Sequence, residues 1–453
     1  MPKLFHFEIK LISRFHHVVA AILLAFTLTT AQLVTAQEQA DPANVERESS
    51  PAALRLYQAA ANAQNAGSYD FAAKEWAKLI ADHPKDPVTE KGRYYLGICR
   101  LQLKDTAGAE KAFNEVLTLH PQFSMMEETL LNLGWCQYSL GQVEDTNEDL
   151  TAEERMKAAV ARKAKMNVAA ATFKTLIDKY PKGKRAHEAC YFRGDALFAI
   201  GETGAAIGSY QILIAEFPDS NLVGDATYAI GVAQQKSGEL GPALETYTRF
   251  IESFEKNANL TEARLRKGEV LLAQGKPADA EPFFEAASDV LDFEFADYAL
   301  FQRAFSVSEQ RAYPRAASIY ETLLQRFPKS SYVTEASMSV GRCWFRAGNW
   351  EQAERSLTAH AQKKDDPFFA EANHWLARIR LNQNEPEEAF NVASAAVEAT
   401  GDANVDYLDH LLLDVADALY SMPDKQNEAL AKLIELADRL PKSQQAPQAL
   451  YNA

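Results

Sequence analysis

The sequence predicts an all-α fold of the solenoid class, a right-handed superhelix of about ten helix pairs. One observation is that a short pattern of small, apolar and turn residues recurs at intervals of mostly 36 or 37 residues along the 453-residue chain. Self-similarity at a fixed period of about 20 to 50 residues is typical of stacked repeats. The second observation is that positions within each copy are separated by helical intervals, which places their side chains on one helix face.

Each copy of the pattern describes two antiparallel helices, here called helix A and helix B. In the clearest copy, Gly194 lies on helix A, Gly201 lies in the turn, and Ala206 and Tyr210 lie on helix B. Helix B should stop before Pro218, because a Pro ring disfavours a helical conformation in the preceding residue. The small residue of helix A is expected where a neighbouring backbone approaches closely. These small positions are Ala60, Gly97, Gly134, Gly194, Gly231, Gly268, Ala304, Gly341 and Ala377, and a degenerate tenth copy holds Ala429, Leu433 and Leu440-Pro441.

With this order of small residue, Gly, Ala, aromatic residue and Pro, the chain resembles the tetratricopeptide repeat family over roughly residues 52–450. The repeats are about three residues longer than the usual thirty-four. The extra residues follow the Pro, where a polar pair often occurs, as in Pro218-Asp219-Ser220. This variant is similar to the repeats of bacterial envelope proteins, notably the outer-membrane assembly lipoprotein and the Tol-Pal-associated coordinator protein.

The first 36 residues have the pattern of a secretory signal peptide. Three basic residues are followed by an uncharged stretch, 18–36, that ends in Val34-Thr35-Ala36. A basic start, an apolar core and small residues at a cleavage point are typical of such peptides, so we expect cleavage after about Ala36. An uncleaved membrane anchor is the alternative, since the stretch is near the lower length limit for spanning. The first Cys after the cleavage point is Cys99, so the protein is not expected to be a lipoprotein.

The charge of the chain argues against two classes of partner. The formal net charge is −15, and removal of residues 1–36, with three basic residues and one acidic residue, makes it −17. An excess of this size disfavours nucleic acid and anionic membrane as partners. We therefore expect an exported protein, periplasmic or secreted, without a stable membrane span after cleavage.

The mature chain is expected to comprise a polar leader at 37–50 and one solenoid at 51–453, whose first helix begins after Ser50. The period lengthens by 23 residues in a helical insertion at about 142–168. Thr151 and Glu154 form a capping-box pattern there. The insertion predicts a helix B extended backwards by about four turns. Its apolar stripe either covers neighbouring helices or binds a partner, and comprises Ala152, Met156, Val160, Ala164 and Val168.

Motifs for catalysis or metal binding are not recognisable in the sequence. The six histidines after residue 36 lack the spacing of a helical zinc motif, and no two cysteines have CxxC spacing. His83 and His120 occupy the position before Pro where other copies carry aromatic residues, so packing roles are expected. Equivalent cysteines on stacked helices are too far apart for disulfides. We therefore predict no enzyme, no cofactor, no metal site and four buried thiols.

In the tetratricopeptide repeat family, side chains of helix A line a concave groove, and the resemblance implies such a groove here. It would be aromatic, acidic in its middle and mixed in charge toward the C-terminal side. The candidate protein-binding residues are Glu128, Trp135, Tyr138, Glu188, Tyr191, Asp195, Asp225, Tyr228, Glu262, Arg342 and Arg346. The alternative is that the acids complement the dipole of the first helical turn and that the aromatic residues belong to the core.

The function predicted from sequence is that of an exported, non-catalytic scaffold or adaptor in the cell envelope, with a role in outer-membrane or cell-wall assembly as one option. Its partners would be other envelope proteins or peptides with basic or amphipathic segments. Two alternatives are an accessory module that binds glycan or peptidoglycan through the aromatic groove, and a purely structural spacer. The sequence pattern sets neither the partner's identity nor the oligomeric state.

Overall fold

The computed structural model describes residues 49–142, 151–401 and 406–452, and within these ranges the chain forms helices and turns without strands. The predicted fold class, an all-α solenoid, is confirmed. The predicted signal peptide and all but the last two residues of the polar leader lie outside the described residues. In the described part of the chain, no helix combines the length and the apolar character needed to cross a bilayer.

The helices fall into two compact units, the first ending at Ala226 and the second beginning at Thr227. The helices of the first unit are α1 (Pro51–Asn65), α2 (Tyr69–Asp82), α3 (Val88–Gln102), α4 (Thr106–Leu119), α5 (Met126–Gln142), α6 (Ala152–Lys179), α7 (Ala186–Ala199), α8 (Thr203–Glu216) and the start of α9 (Val223–Lys236).

The second unit continues the same alternation. After the rest of α9, its helices are α10 (Leu240–Ser253), α11 (Leu260–Ala273), α12 (Pro277–Ser288), α13 (Ala296–Glu309), α14 (Tyr313–Arg326), α15 (Val333–Arg346), α16 (Trp350–Ala361), α17 (Phe369–Asn382), α18 (Pro386–Thr400), α19 (Leu408–Tyr420), α20 (Gln426–Arg439) and α21 (Ala446–Asn452). In both units each helix packs mainly against its neighbours in sequence.

Five of the helix-A glycines pack against rings on helix B of the same repeat, and Gly341 packs against the aliphatic side chain of Leu357. A Cβ atom built on Gly97 would lie 2.7 Å from the ring of Phe113, and one built on Gly231 would lie 2.7 Å from Tyr247. Gly194 is in still closer contact with the ring of Tyr210. The expectation that these glycines admit a neighbouring backbone is therefore wrong, because a side chain of helix B occupies the space.

The turn between helices A and B requires a left-handed residue. Gly67, Gly201, Gly238, Gly275 and Gly348 have φ between 72° and 85° at this position. Four repeats place other residues there, and Lys104, Arg311, Asn384 and Asp424 have φ of 62°, 62°, 63° and 60°. Left-handed geometry is unfavourable for residues with a Cβ atom, and least so for Asn. The repeat therefore imposes the turn even where the local residue disfavours it.

Helix B ends as predicted, at the residue before Pro. Phe217 follows α8 with φ of −133° and ψ of 57°, and its N–H donates to the carbonyl of Leu213. His83 and His120 end α2 and α4 with nearly the same backbone geometry. Phe254 ends α10 with nearly the same geometry although Glu255 follows it, so Pro favours this helix end but is not required for it.

The insertion is occupied by a long helix. Helix α6 has 28 residues, whereas α8 and α10 have 14 each. Its capping box is confirmed: the backbone N–H of Glu154 donates to Thr151 Oγ1 at 3.3 Å, and that of Thr151 donates to Glu154 Oε2 at 2.9 Å. Residues 143–150 lie outside the described ranges.

The apolar stripe of α6 does not cover neighbouring helices. Met156, Val160 and Val168 are 68%, 64% and 47% exposed, and Ala152 and Ala164 are exposed as well. Of the two alternatives for this stripe, coverage of neighbouring helices is therefore wrong: residues 152–164 precede the part of α6 that packs against α5, and Val168 is exposed although it lies within that part. That part begins at Met166, which contacts Gly141.

All four cysteines are buried and free, as predicted. Burial raises the pKa of the Cys99 thiol to about 12 and that of Cys190 to about 11. These thiols serve as small apolar core groups.

Candidate protein-binding surface

Seven of the predicted surface residues lie on the A helices of the first unit. Helix α5 carries Glu128, Trp135 and Tyr138, helix α7 carries Glu188, Tyr191 and Asp195, and the start of α9 carries Asp225. The carboxylates interact electrostatically from helix to helix: Glu128 acts on Glu188, and Asp225 acts on Asp195. The structure therefore brings acidic side chains of three successive A helices close to one another.

The tyrosines of this group are core residues. Tyr191 is buried, and its ring centroid lies 5.8 Å from those of Phe192 and Tyr210. Tyr138 is also buried, 6.4 Å from Phe192. Their rings fill the space between helices, which agrees with the alternative that the aromatic residues belong to the core. Glu128, Trp135 and Asp225 are the partly exposed members of the group.

Glu188 is a largely buried carboxyl with an incomplete set of neutralising neighbours. Arg185 Nη1 lies 3.3 Å from Glu188 Oε1. Burial raises the pKa of Glu188 to about 7; Arg185 opposes this shift, and Glu127 and Glu128 add to it. The carboxyl is therefore much more readily protonated than a solvent-exposed Glu.

Asp195 is buried more deeply, at 6% exposure. Its Oδ1 accepts a 2.6 Å hydrogen bond from the hydroxyl of Tyr210. Its Oδ2 is buried and has no hydrogen-bond partner among the described residues. Burial, reinforced by the charge of Asp225, raises the pKa of Asp195 to about 7, although the Tyr210 hydrogen bond opposes the shift.

Trp135 has an unsatisfied polar atom on the same row of helices. Its indole Nε1 is buried and has no acceptor among the residues that the structure describes. An indole N–H normally finds a partner when it is buried. Together with Asp195 Oδ2, it provides one unused donor and one unused acceptor within the A helices of the first unit.

The first unit thus presents an acidic surface, defined here as the partly exposed Glu127, Glu128 and Asp225 together with the buried carboxyls on which their charges act, Glu188 and Asp195. Two of its carboxyls have a pKa near 7 because burial and like charges disfavour their ionised forms. A cation placed beside them would favour ionisation and be attracted in return. The surface is therefore chemically suited to a Lys or Arg side chain.

Sequence reasoning missed three residues that shape this surface. Glu127 accepts a hydrogen bond from the backbone N–H of Arg185, and Arg185 pairs with Glu188. Tyr210, predicted only as a packing residue, is the donor to Asp195. The charge of Glu127 and Arg185 was a visible signal, but their pairing depends on which helices become neighbours.

In the second unit, Tyr228 and Glu262 are interior residues. Tyr228 is buried, with its ring centroid 5.7 Å from that of Phe250. Glu262 is buried and pairs with Arg266 at 3.5 Å, while Arg266 also pairs with Glu269 at 3.0 Å. The charge of Glu262 is thus neutralised by Arg266, four residues further along the same helix.

The two predicted cationic residues differ in their environment. Arg342 pairs with Glu335 at 2.6 Å and with Glu371 at 2.5 Å. Burial lowers the pKa of Arg342, but its hydrogen bonds to Glu371 and Glu335 outweigh this effect and raise it overall. Arg346 is exposed, with its guanidinium 5.7 Å from the ring centroid of Tyr313. Of the two, Arg346 is the one that solvent reaches freely.

Across the described ranges, no three His, Cys, Asp or Glu side chains are grouped so as to hold a metal ion. The buried His374, for example, lies with its Nδ1 2.6 Å from Asp414 Oδ2, and Arg378 pairs with the other oxygen of Asp414 at 3.6 Å.

Stacked antiparallel helix pairs, with a small residue of helix A against a ring of helix B, define the class of helical-repeat scaffold proteins. Family models for tetratricopeptide repeats match residues 193–220, 228–289, 306–363 and 345–404. A further model, described as the outer membrane lipoprotein YfiO, matches residues 50–191. The chain therefore carries several tetratricopeptide repeats, a fold that typically mediates protein–protein interaction rather than catalysis.

Solved structures with a similar fold are also tetratricopeptide repeat proteins. YrrB, described as having an unusual peptide-binding site, is 17% identical, with 42% of this chain and 90% of YrrB covered and a TM-score of 0.35. A protein from Parabacteroides merdae is 15% identical, with 59% and 98% covered and a TM-score of 0.39. The C-terminal part of a protein from Cytophaga hutchinsonii is 14% identical, with 57% and 99% covered and a TM-score of 0.45. No curated protein sequence matches the chain.

Proposed function

We propose that this protein is an exported, non-catalytic adaptor of the cell envelope that captures basic or amphipathic segments of partner proteins. The observation that carries this proposal is the acidic surface of the first unit. Its two carboxyls with a pKa near 7, Glu188 and Asp195, lie within reach of the charges of Glu128 and Asp225. A partner's Lys or Arg side chain would neutralise this charge.

In the free protein, the buried carboxyls of the acidic surface have few cationic neighbours. A buried carboxyl that is short of cationic neighbours is held partly protonated, and this state costs free energy that a cationic ligand recovers. Charged contacts of this kind contribute mainly to partner selection and association rate. Affinity would come from an apolar anchor, for which Trp135 is a candidate because it is partly exposed and lies on the same helix as Glu128.

Two observations support a location in the envelope. Residues 1–36 have the signal-peptide pattern, and the family model that matches residues 50–191 is described as an outer membrane lipoprotein. The present chain lacks a Cys near the expected cleavage point, so we propose a mature periplasmic or secreted protein without a lipid anchor. A part in outer-membrane or cell-wall assembly follows from the same likeness.

The test measures binding of a synthetic peptide that forms a basic amphipathic helix. The full mature chain should bind this peptide with salt-sensitive affinity and should not bind a peptide of inverted charge. The triple variant Glu128→Gln, Glu188→Gln, Asp225→Asn should bind it on the order of tenfold more weakly and with a smaller salt dependence.

The matched control removes three exposed acids from B helices of the same unit, in Asp70→Asn, Asp178→Asn, Glu216→Gln. This variant removes the same number of carboxyl groups as the first. It therefore distinguishes an effect of the acidic surface on binding from an effect of the protein's overall charge. Equal binding by both triple variants would contradict the proposal. Binding of peptidoglycan fragments in place of the peptide would favour the glycan module.

A further inference from the structure

We propose that the exposed N-terminal half of α6 is a docking arm, and that it binds the acidic surface of a second copy of this chain. The arm is defined as residues 152–164. This inference rests on the proposed function, because it names an occupant for the acidic surface. It makes the protein a self-associating adaptor whose binding surface is covered until a partner displaces the arm.

The arm is a fixed projection from the first unit. Its base is held by Met166, which contacts Gly141, and by Lys165, whose Nζ lies 3.0 Å from Glu110 Oε2 on α4. Its start is fixed by the Thr151–Glu154 capping box. Because α6 is one helix from Ala152 to Lys179, the arm spans about 20 Å at 1.5 Å per residue.

The arm combines an apolar stripe with basic charge. Met156 and Val160 are one turn apart and mostly exposed. The arm's basic residues outnumber its two acids, and they are Arg155, Lys157, Arg162 and Lys163. Of the acids, Glu154 is engaged in the capping box and Glu153 pairs with Lys157 at 2.7 Å. The arm is thus a basic segment in a chain whose formal net charge is −15.

Charge complementarity favours a second copy as the occupant. The carboxyls of the acidic surface would attract a basic helix, and an apolar face on that helix could contact Trp135. The arm is both basic and apolar on one side. The arm's own copy is not the occupant in this structure, since Met156 and Val160 are exposed. Two copies that exchange arms would form a two-fold symmetric dimer in which each contact occurs twice.

A lipid surface fits the arm less well. Helices that lie on membranes present Trp, Phe or Leu on the apolar face, whereas this stripe consists of Ala, Met and Val. The large negative charge of the rest of the chain would also oppose approach to an anionic bilayer.

The test is sedimentation velocity on the full mature chain over a range of concentrations and salt. We expect a monomer–dimer equilibrium that weakens as salt rises. Met156→Ser with Val160→Ser, and separately Arg162→Glu with Lys163→Glu, should each raise the dimer dissociation constant on the order of tenfold or more. The apolar control is Phe71→Ser with Leu119→Ser, two exposed residues outside the arm, and it should dimerise like the parent.

A mixing experiment tests whether the arm of one copy contacts the acidic surface of the other. The arm variant Arg162→Glu, Lys163→Glu retains the acidic surface, and the variant Glu128→Gln, Glu188→Gln, Asp225→Asn retains the arm. Each should be monomeric alone, and their mixture should form a heterodimer through the one intact contact. Failure of the mixture to associate, although the parent dimerises, would show that the arm binds elsewhere and would overturn the inference.

Three further outcomes would overturn it: a parent protein that stays monomeric at low salt, arm variants that dimerise normally, or an arm that binds vesicles of anionic phospholipid while the protein remains monomeric. Failure of the proposed function is distinguished by the synthetic basic peptide. If the arm variant still binds that peptide through its acidic surface, the adaptor function stands without self-association.

Discussion

The hydroxyl of Tyr210 on α8 donates a 2.6 Å hydrogen bond to Oδ1 of Asp195 on α7. The ring of the same tyrosine lies against Gly194, the residue before Asp195. One side chain therefore joins helices A and B of a repeat by packing and also partly satisfies a carboxyl of the acidic surface. Substitutions at this contact therefore perturb both the packing of the repeat and the electrostatics of the acidic surface.

Replacing Asp195 with Asn should stabilise the protein at alkaline pH. The folded-state pKa of Asp195 is about 7, above the value near 3.9 expected in the unfolded chain. The folded state therefore binds more protons between these values, and the stability contributed by the protonated carboxyl is lost as pH rises through the folded-state pKa. The Asn side chain keeps an acceptor for Tyr210 and carries no charge.

Thermal unfolding of Asp195→Asn and parent should therefore differ by a few kcal/mol at about pH 8, and the difference should shrink toward about pH 4. Asp178→Asn, at an exposed position on α6, is the control and should show little pH-dependent change. A pH-independent difference for Asp195→Asn would mean that the carboxyl is not raised in pKa in the folded state.

Truncation of Tyr210 should disrupt one repeat. Tyr210→Ala removes a buried ring from the face of Gly194 and should cost about 3 to 5 kcal/mol, as aromatic truncations in cores do. Because the energetics of a repeat array are local, calorimetry should show a broadened or split unfolding transition. Tyr210→Phe keeps the ring and should lose only the hydrogen bond. Equal effects of both substitutions would mean that the ring contributes little.

Glycine should stabilise the turns that now hold a left-handed lysine or arginine. Lys104 and Arg311 have φ of 62° at the position that other repeats fill with Gly. Lys104→Gly and Arg311→Gly should each raise the free energy of unfolding by about 1 kcal/mol, because a Cβ atom is strained in this conformation. Chemical denaturation measures the change. Gly201→Ala is the reverse control, and a gain in stability there would contradict the argument.

The repeat architecture could be predicted because its signals are local and recur. Gly201 in the turn, Tyr210 on helix B and Pro218 after it each follow from the residue's own backbone or packing preference, and other copies repeat parts of the same pattern. The group that packs against the small helix-A residue could not be predicted from local signals. Gly194 indicates a close approach, but only the packed structure shows that the approaching group is the ring of Tyr210.

The candidate surface was less predictable, because the burial of each helix-A side chain depends on which helix packs beside it. Tyr191 has the spacing of a groove residue, yet the ring of Tyr210 packs beside it in the core. The sequence alone could not decide how α6 packs, since an apolar stripe at Met156 and Val160 is compatible with either a covered or an exposed helix. Its exposure is a property of the packed structure.

Export predicts a mature protein that begins at Gln37. The motivation is the run Val34-Thr35-Ala36 at the end of an uncharged stretch. N-terminal sequencing of the protein recovered from the cells that produce it should yield Gln37 or a residue next to it. Recovery of residues 1–30 intact in a membrane fraction would show an uncleaved anchor in place of a mature soluble protein.

Capture of a basic segment should release protons and should strengthen as pH rises through about 7. In the free protein the pKa values of Glu188 and Asp195 are each about 7. A bound Lys or Arg favours their ionised forms, so binding lowers these pKa values and expels the protons that the carboxyls carried.

Titration calorimetry of the synthetic basic peptide, in buffers of different ionisation enthalpy, measures this proton release directly. Affinity should rise between about pH 6 and pH 8, and release should be largest near pH 7. The double variant Glu188→Gln, Asp195→Asn should bind more weakly at pH 8 and lose most of the pH dependence, whereas Asp70→Asn should keep it. If the parent binds the peptide equally well across this range, its ligand does not lie beside these two carboxyls, and the binding surface must be sought elsewhere on the A helices.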